Sequence, residues 1–229
     1  MVVNFKTYME ATGKRAIELA KVAEDVSRET GVTIIVAPQF TDIKPVSKTV
    51  DIPIFSQHMD AVKPGAHTGH VLAEAVKSAG ADGSLLNHSE RRINPSEIAE
   101  SVKLCAEADL RSLVCADTTE ASVGIAKMMP DMIAIEPPEL IGTGISVSKA
   151  RPELITESVN EIRKLNRGVK VLCGAGVTSA EDVSKALELG SEGVLVASSI
   201  VKSKNPRIVL QSMANMMLFR TEKTVLRVD

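Results

Sequence analysis

Three side chains in the sequence could together move a proton next to a carbonyl group: a carboxylate, an imidazole and an amine. Glu136, His88 and Lys6 each follow a short apolar run. A carboxylate at the mouth of an apolar strand loses hydration, which makes it a stronger base near neutral pH. A neutral imidazole can donate a hydrogen bond that stabilises an enediolate, and a lysine charge can offset an oxyanion or a phosphate. Each residue alone also has an ordinary structural interpretation, so the prediction rests on the three together.

Two stretches of small residues, Gly174-Ala175-Gly176 and Ala197-Ser198, could bind a phosphate group. Small side chains let backbone N–H groups approach phosphate oxygens closely, with help from a helix N-terminus. Tight turns would explain either stretch, but both follow the last two apolar runs, where barrels of alternating strands and helices place their phosphate site. Residues 141–144 form a glycine-containing stretch that could close over a ligand, and they lack the spacing of a dinucleotide fingerprint.

The elements that must position these residues alternate along the chain as eight pairs of an apolar run and a stretch with helical spacing. The predicted strands are residues 2–5, 33–37, 52–56, 83–87, 112–116, 132–135, 169–173 and 193–197. The predicted helices are residues 14–29, 42–48, 71–78, one opened by Asn94-Pro95 with Glu97, 119–128, 148–165, one capped by Thr178 with Glu181, and one opened by Asn205-Pro206. Continuous apolar strands are buried on both faces, so the pattern favours an α/β fold, a closed (β/α)8 barrel.

The composition fits a single globular domain over residues 1–220, with a tail of no assigned role at residues 221–229. The 229 residues are 44% hydrophobic and carry a net charge of −2, which argues against general binding to nucleic acid or to an anionic membrane. The three cysteines show no paired spacing, so neither a disulfide framework nor a thiolate metal site is predicted. The sequence shows no signal peptide and no apolar stretch long enough to span a bilayer, and we expect a cytoplasmic protein.

Four motifs make the chain similar to the triosephosphate isomerase family, in its short archaeal-type form, from Asn4 to about Phe219. They are Asn4-Phe5-Lys6, Asn87-His88-Ser89-Glu90-Arg91-Arg92, Ile135-Glu136-Pro137 with Ile141-Gly142-Thr143-Gly144, and Cys173-Gly174-Ala175-Gly176-Val177. The resemblance implies a (β/α)8 barrel that interconverts two triose phosphates without a cofactor or a metal.

The resemblance also implies a role for each matching residue. Glu136 would be the base, His88 the neutral electrophile, and Lys6 the charge that stabilises the developing anion. The implied substrate-binding residues are Asn4, Phe5, Lys6, Ile141, Gly142, Gly176, Ala197 and Ser198. Residues 65–69 resemble a loop that inserts into a neighbouring subunit in the family, which implies a homo-oligomer, either a dimer or a tetramer.

The sequence departs from the longer form of the family at the closing loop, where Glu139 replaces an aromatic residue, and after the last strand, where Ala197-Ser198 replaces a glycine pair. Alternative interpretations are a sugar-phosphate epimerase, a lyase of tryptophan synthesis, or a non-catalytic protein that binds phosphorylated metabolites. Those proteins would share the phosphate loops, but they would not require Lys6, His88 and Glu136 at these strand ends.

Overall fold

Eight short parallel strands form the centre of the molecule. The structure, a computed structural model, describes residues 1–137, 140 and 145–225, with the backbone alone for residues 220–225. The strands are Val2–Asn4 (β1), Ile35–Ala37 (β2), Phe55–Ser56 (β3), Gly83–Leu86 (β4), Arg111–Ala116 (β5), Met132–Ile135 (β6), Lys170–Cys173 (β7) and Gly193–Val196 (β8). Each of the eight predicted strands is therefore present.

Neighbouring strands pair in chain order, so the sheet curls into a nearly closed barrel. The hydrogen-bonded order is β2-β1-β8-β7-β6-β5-β4-β3. Among the described residues, one isolated bridge between Val36 and Ile54 joins β2 to β3 and completes the circle. The backbone N–H of Val36 also donates to the carbonyl oxygen of Pro53, at 3.1 Å. The predicted (β/α)8 barrel is confirmed.

Helices cover the outside of the barrel and connect the strands. They are Lys14–Thr30 (α1), Phe40–Ser47 (α2), Ala73–Ser78 (α3), Pro95–Glu107 (α4), Thr119–Ala126 (α5), Val147–Ala150 (α6), Pro152–Leu165 (α7), Ala180–Glu188 (α8), Ser198–Val201 (α9) and Pro206–Val225 (α10), and a short 3-10 helix covers Met9–Ala11. The last helix includes residues 221–225 of the predicted tail. No helix in the described part of the chain is long and apolar enough to cross a bilayer.

The alternation of side chains along each strand divides the core into two parts. Leu113 and Cys115 of β5, with Met132 and Ala134 of β6, belong to a cluster of residues that point into the barrel. The residues between them, such as Ile133, belong to the larger cluster that lies between strands and helices. Both faces of the strands are thus buried, as the continuous apolar runs predicted.

Several helix ends lie one or two residues from their predicted positions, and one predicted helix and one predicted cap differ for clear physical reasons. The helix expected over residues 148–165 is broken at Arg151, because Pro152 disfavours helical geometry at the preceding residue and lacks an N–H group. The cap predicted at Thr178 with Glu181 lies one residue later, where Ser179 and Asp182 form the capping box of α8. The cap predicted at Asn94 with Glu97 is confirmed, with both reciprocal bonds present.

Candidate active site

The carboxyl ends of the strands meet at one end of the barrel and enclose a cleft. The predicted site residues that line this cleft are Asn4, Lys6, His88, Glu136, Gly176, Ala197 and Ser198. Residues separated by almost 200 positions in the chain therefore share one site, because each follows a different parallel strand.

Glu136 and His88 are both buried in the wall of the cleft. Glu136 is 5% exposed and His88 is 8% exposed. The Nε2 atom of His88 lies 3.7 Å from the Oε2 atom of Glu136. That carboxylate oxygen is buried and has no hydrogen-bond partner among the described residues. An unsatisfied buried acceptor is costly and calls for a functional explanation, and proton acceptance from a substrate supplies one.

The tautomer of His88 follows from its contact with the next turn of the chain. The backbone N–H of Glu90 donates to Nδ1 of His88 at 3.2 Å. Only an unprotonated nitrogen can accept this bond, so the ring carries its proton on Nε2, on the side that faces Glu136. The carboxylate of Glu90 lies 3.6 Å from Nδ1, which is beyond hydrogen-bond distance. His88 is therefore oriented as a neutral hydrogen-bond donor to the cleft.

Lys6 provides the positive charge of the site. Its ammonium group forms an ion pair with Glu90 at 2.8 Å, and its side chain is 12% exposed. The backbone of Lys6 has a positive φ of 47° and donates its N–H to the side chain of Asn4. The amide of Gln57 donates to the carbonyl oxygens of Lys6 and of Ala37, which fixes the turn after β1 to the neighbouring strands.

Three left-handed residues other than glycine lie beside the cleft. Lys6, Asn87 and Ala175 have φ values of 47°, 57° and 65°, and each follows a strand that ends at the site. Such conformations cost roughly 1–3 kcal/mol each and persist where surrounding contacts fix them. For Asn87, its side chain donates to the carbonyl oxygen of Cys115 and accepts from the N–H of Ile93.

The stretch after β7 requires small residues for two separate reasons. A Cβ atom at Gly174 would lie 2.5 Å from Cγ of Glu136, so this glycine leaves room for the carboxylate. Gly176 has a φ of 67°, and a Cβ atom there would overlap the carbonyl oxygen of Ile145. The stretch is thus in close contact with the carboxylate on one side and with the backbone after residue 144 on the other.

Two short backbone segments in the cleft can present N–H groups to an anion. Ser198 and Ser199 begin α9, where the first N–H groups of a helix have no intrahelical acceptor. The segment of Gly176 lies beside them, since the hydroxyl of Ser199 donates to the carbonyl oxygen of Val177 at 3.0 Å, and both segments line the wall of the cleft. Two other predicted binding residues, Ile141 and Gly142, lie outside the described residues.

Two buried thiols adjoin the carboxylate of Glu136. Burial and the neighbouring Glu136 raise the pKa of Cys115 well above its ordinary value, and the same two causes, with Asp182, raise the pKa of Cys173 to about 12. Both residues are therefore neutral thiols near physiological pH, so they add no negative charge beside Glu136.

Some site residues were not found from the sequence, and one predicted residue does not reach the cleft. Tyr8 lines the cleft, and the ammonium of Lys202 lies 4.2 Å from the centre of its ring. Gln57 also has no local sequence signal. The side chain of Phe5, by contrast, is fully buried in the core between strands and helices. No group of three metal-ligating side chains occurs among the described residues.

Comparison with known proteins gives one consistent result. The family model described as triosephosphate isomerase matches residues 1–217. The chain is 51% identical over 205 residues to the triosephosphate isomerase of Methanocaldococcus jannaschii. These aligned residues cover 90% of this chain and 94% of that protein. The corresponding proteins of Methanothermus fervidus and Methanosarcina acetivorans are 51% and 50% identical over 213 residues, or 93% of this chain and 96% of each relative.

Proposed function

The chain belongs to the triosephosphate isomerase family, and on that premise we propose that it interconverts D-glyceraldehyde 3-phosphate and dihydroxyacetone phosphate through an enediolate. The buried pair of Glu136 and His88, 3.7 Å apart, carries the proposal. An aldose–ketose isomerisation needs a base for a carbon-bound proton and a donor for a carbonyl oxygen, and the pair offers one of each. Members of this family use a glutamate base beside a neutral histidine, and we assign the two roles by that resemblance.

The proton transfers balance within the substrate. Glu136 takes a proton from C1 of dihydroxyacetone phosphate, and the C–H electrons form the double bond of the enediolate. The Nε2–H group of His88 donates to the carbonyl oxygen, and a proton passes between the two substrate oxygens. The protonated Glu136 then returns its proton to C2, which yields glyceraldehyde 3-phosphate and regenerates the carboxylate.

The charges around this pair support the same reaction. Lys6 offsets the negative charge that develops on the substrate oxygens, and Asn4 holds the backbone of Lys6 in place. We propose that backbone N–H groups of Gly176, Ala197 and Ser198 bind the phosphate group and that Ile141 and Gly142, which lie outside the described residues, also bind the substrate. Exclusion of water from the cleft would keep the enediolate from losing its phosphate.

The setting of the reaction is part of the proposal. A triose phosphate isomerisation serves glycolysis and gluconeogenesis, and we place it in the cytoplasm. We also propose a homo-oligomer, because every residue from 63 to 70 is exposed and this segment includes the predicted inserting loop. Light scattering on the purified protein gives the subunit number directly. A strictly monomeric and fully active protein would contradict the oligomer without affecting the assignment of the reaction.

A coupled assay tests the proposed function. Purified protein is incubated with glyceraldehyde 3-phosphate, and dihydroxyacetone phosphate is measured through its enzymatic reduction by NADH. We expect turnover without any added metal or cofactor, retained after dialysis against a chelator. A folded protein that gives no turnover in either direction would rule out the isomerase and favour a non-isomerising barrel.

A further inference from the structure

A buried aspartate lies between the two segments that flank the phosphate side of the cleft. Asp182, in the first turn of α8, is 2% exposed. One segment, which we call the glycine turn, comprises residues 174–179 after β7. The other, the returning segment, comprises residues 145–150 and contains α6. The returning segment comes directly after the undescribed residues 141–144.

One carboxylate oxygen of Asp182 fixes the end of the glycine turn. Its Oδ2 atom accepts hydrogen bonds from the N–H and hydroxyl groups of Thr178, at 2.9 and 3.0 Å, and from the N–H of Ser179, at 3.1 Å. Three donors on one oxygen leave this turn little freedom to shift relative to α8.

The other carboxylate oxygen reaches the returning segment. The Oδ1 atom of Asp182 lies 2.7 Å from the ammonium of Lys149, a residue of α6 whose side chain is 58% exposed. Burial opposes the ionisation of Asp182, but the ion pair with Lys149 and the hydrogen bonds from Thr178 outweigh it, and the pKa of Asp182 lies below its ordinary value. The pKa of Lys149 is raised by the same contact. Both partners are therefore charged at neutral pH.

Other contacts hold the returning segment against the glycine turn and against α8. The N–H of Val147 donates to the carbonyl oxygen of Ala175 at 3.2 Å. The hydroxyl of Ser148 donates to the carbonyl oxygen of Asp182 at 3.4 Å and is 2.7 Å from the hydroxyl of Ser146. Because Gly176 has no Cβ, its backbone can lie against Ile145. Among the described residues, Lys149 and Asp182 are the one ion pair between the returning segment and α8.

We propose that Lys149 and Asp182 form a positioning pair, which sets the returning segment against the glycine turn in the register that binds the substrate phosphate. The pair does not touch the reacting carbons. It acts through Thr178 and Ser179 on the turn that contains Gly176, and through α6 on the chain that follows residue 144. This inference rests on the proposed function, since it assigns a role in recognising that substrate.

The register matters because phosphate binding by backbone groups depends on fixed positions. A misplacement of about 1 Å caused by a change far from the chemistry can cost about 100-fold in rate. Loss of the pair leaves Asp182 a buried carboxylate without its cation, so α6 can shift relative to the turn while the barrel remains intact. The defect should therefore be confined to substrates that carry a phosphate group.

The test compares substrates with and without phosphate. We expect Lys149→Met to lower kcat/KM for glyceraldehyde 3-phosphate by roughly five- to 100-fold. The same variant should weaken competitive inhibition by inorganic phosphate. Lys149→Arg should restore most of the kcat/KM and most of the inhibition. With glyceraldehyde, which lacks the phosphate, the slow incorporation of deuterium from D₂O measured by NMR should match that of the unaltered chain. Lys185→Met is the matched control, because Lys185 forms an exposed ion pair with Glu188 on α8.

The outcomes separate this inference from the proposed function. An unaltered chain that fails to isomerise glyceraldehyde 3-phosphate overturns the proposed function and the inference with it. If the unaltered chain is active, a Lys149→Met variant with unchanged kcat/KM and unchanged phosphate inhibition overturns the positioning pair alone. Equal losses with glyceraldehyde and with its phosphate would also overturn it, since they would indicate general structural damage.

Discussion

The Nε2 atom of His88 faces the Oε2 atom of Glu136 across 3.7 Å, although the two residues end strands that are separated by β5 in the barrel. The gap is too long for a hydrogen bond. It leaves the carboxylate oxygen without a partner in the described part of the chain, and it leaves the proton on Nε2 directed to the cleft. A substrate that presents a C–H group to one and a carbonyl oxygen to the other would satisfy both.

Glu136→Gln should abolish most of the activity while preserving the fold. The amide keeps the size of the side chain but cannot accept a proton from carbon, so we expect kcat to fall by about 10²–10⁴-fold. Steady-state kinetics measure the loss, and circular dichroism checks the fold. Glu192→Gln is the control, because Glu192 is exposed and precedes β8 at the opposite end of the barrel. Near-normal turnover by the Glu136 variant would remove this residue as the base.

Lys6→Ala should lower kcat/KM through the loss of a charge rather than through misfolding. The substitution keeps the Cβ atom, so the strained backbone at φ 47° is unchanged, and we expect a loss of about 10²–10³-fold. Raising the salt concentration should affect the variant less than the unaltered chain, because the screened charge is gone. Lys164→Ala, which removes an exposed partner of Glu161, should have no effect. An unchanged kcat/KM would contradict the role of Lys6.

Gly174→Ala should displace the carboxylate of Glu136. The new Cβ atom would lie 2.5 Å from Cγ of Glu136, so that side chain must shift and its position relative to His88 must change. We expect kcat to fall by up to about 100-fold, since a shift near 1 Å has that effect on a reacting group. A crystal structure of the variant would show the displaced carboxylate. Full activity with an undisturbed Glu136 would show that the contact is relieved elsewhere.

Gly124→Ala is the matched control for Gly174→Ala, and we expect it to stabilise the protein. Gly124 lies within α5, and no heavy atom lies within 4 Å of the position its Cβ would take. Alanine in a helix interior is favoured over glycine by roughly 0.5–1 kcal/mol. Urea unfolding should show this increase with unchanged kinetics. A destabilised variant would mean that the surroundings of α5 are tighter than the structure indicates.

Stability should decrease as the pH falls below 6.5, in part because of His58. This side chain is buried beside Asp60, and its pKa lies below 6.5 because burial disfavours its charged form and Arg91 repels it, against the opposing pull of Asp60. The folded state therefore binds the proton less readily than the unfolded chain. The stabilising effect is complete above pH 6.5 and is lost as the pH falls towards the folded-state pKa.

His58→Gln removes this titrating group and checks its contribution. The free energy of unfolding of the variant, measured in urea at pH 7.5 and at pH 5, should fall less than that of the unaltered chain. Identical losses in the two proteins would mean that other groups cause the acid sensitivity.

The strands could be predicted from the sequence because burial on both faces leaves a direct pattern of apolar residues, as at 132–135. The helix cap after β7 shows where such patterns fail. Thr178 with Glu181 and Ser179 with Asp182 both fit the spacing of a capping box, and the structure uses the second because Asp182 is the buried carboxylate. Burial of one residue depends on packing against α6, which no local spacing reveals.

The residues that line the cleft could be predicted because each stands at a strand end, and the barrel brings those ends together. The contacts that support these residues could not be predicted from the sequence. Lys149 and Asp182 are distant in the chain and each reads as an ordinary surface charge. The side chain of Gln57, which belongs to another strand end, donates to the carbonyl oxygen of Lys6. This contact depends on the left-handed backbone at Lys6, and no glycine in the sequence marks that turn.

In the described residues a single bridge, between Val36 and Ile54, joins β2 to β3, and we call this junction the seam of the barrel. Its location determines where the fold should open most readily. In a ring of eight strands, the junction of β2 with β3 lies opposite the junction of β6 with β7, where four residue pairs are in register from Met132 to Ile135. Amide hydrogens at the seam should exchange with solvent first, and those of β6 last. Local opening of the barrel should therefore occur on the side farthest from Glu136 and leave the position of that carboxylate unchanged.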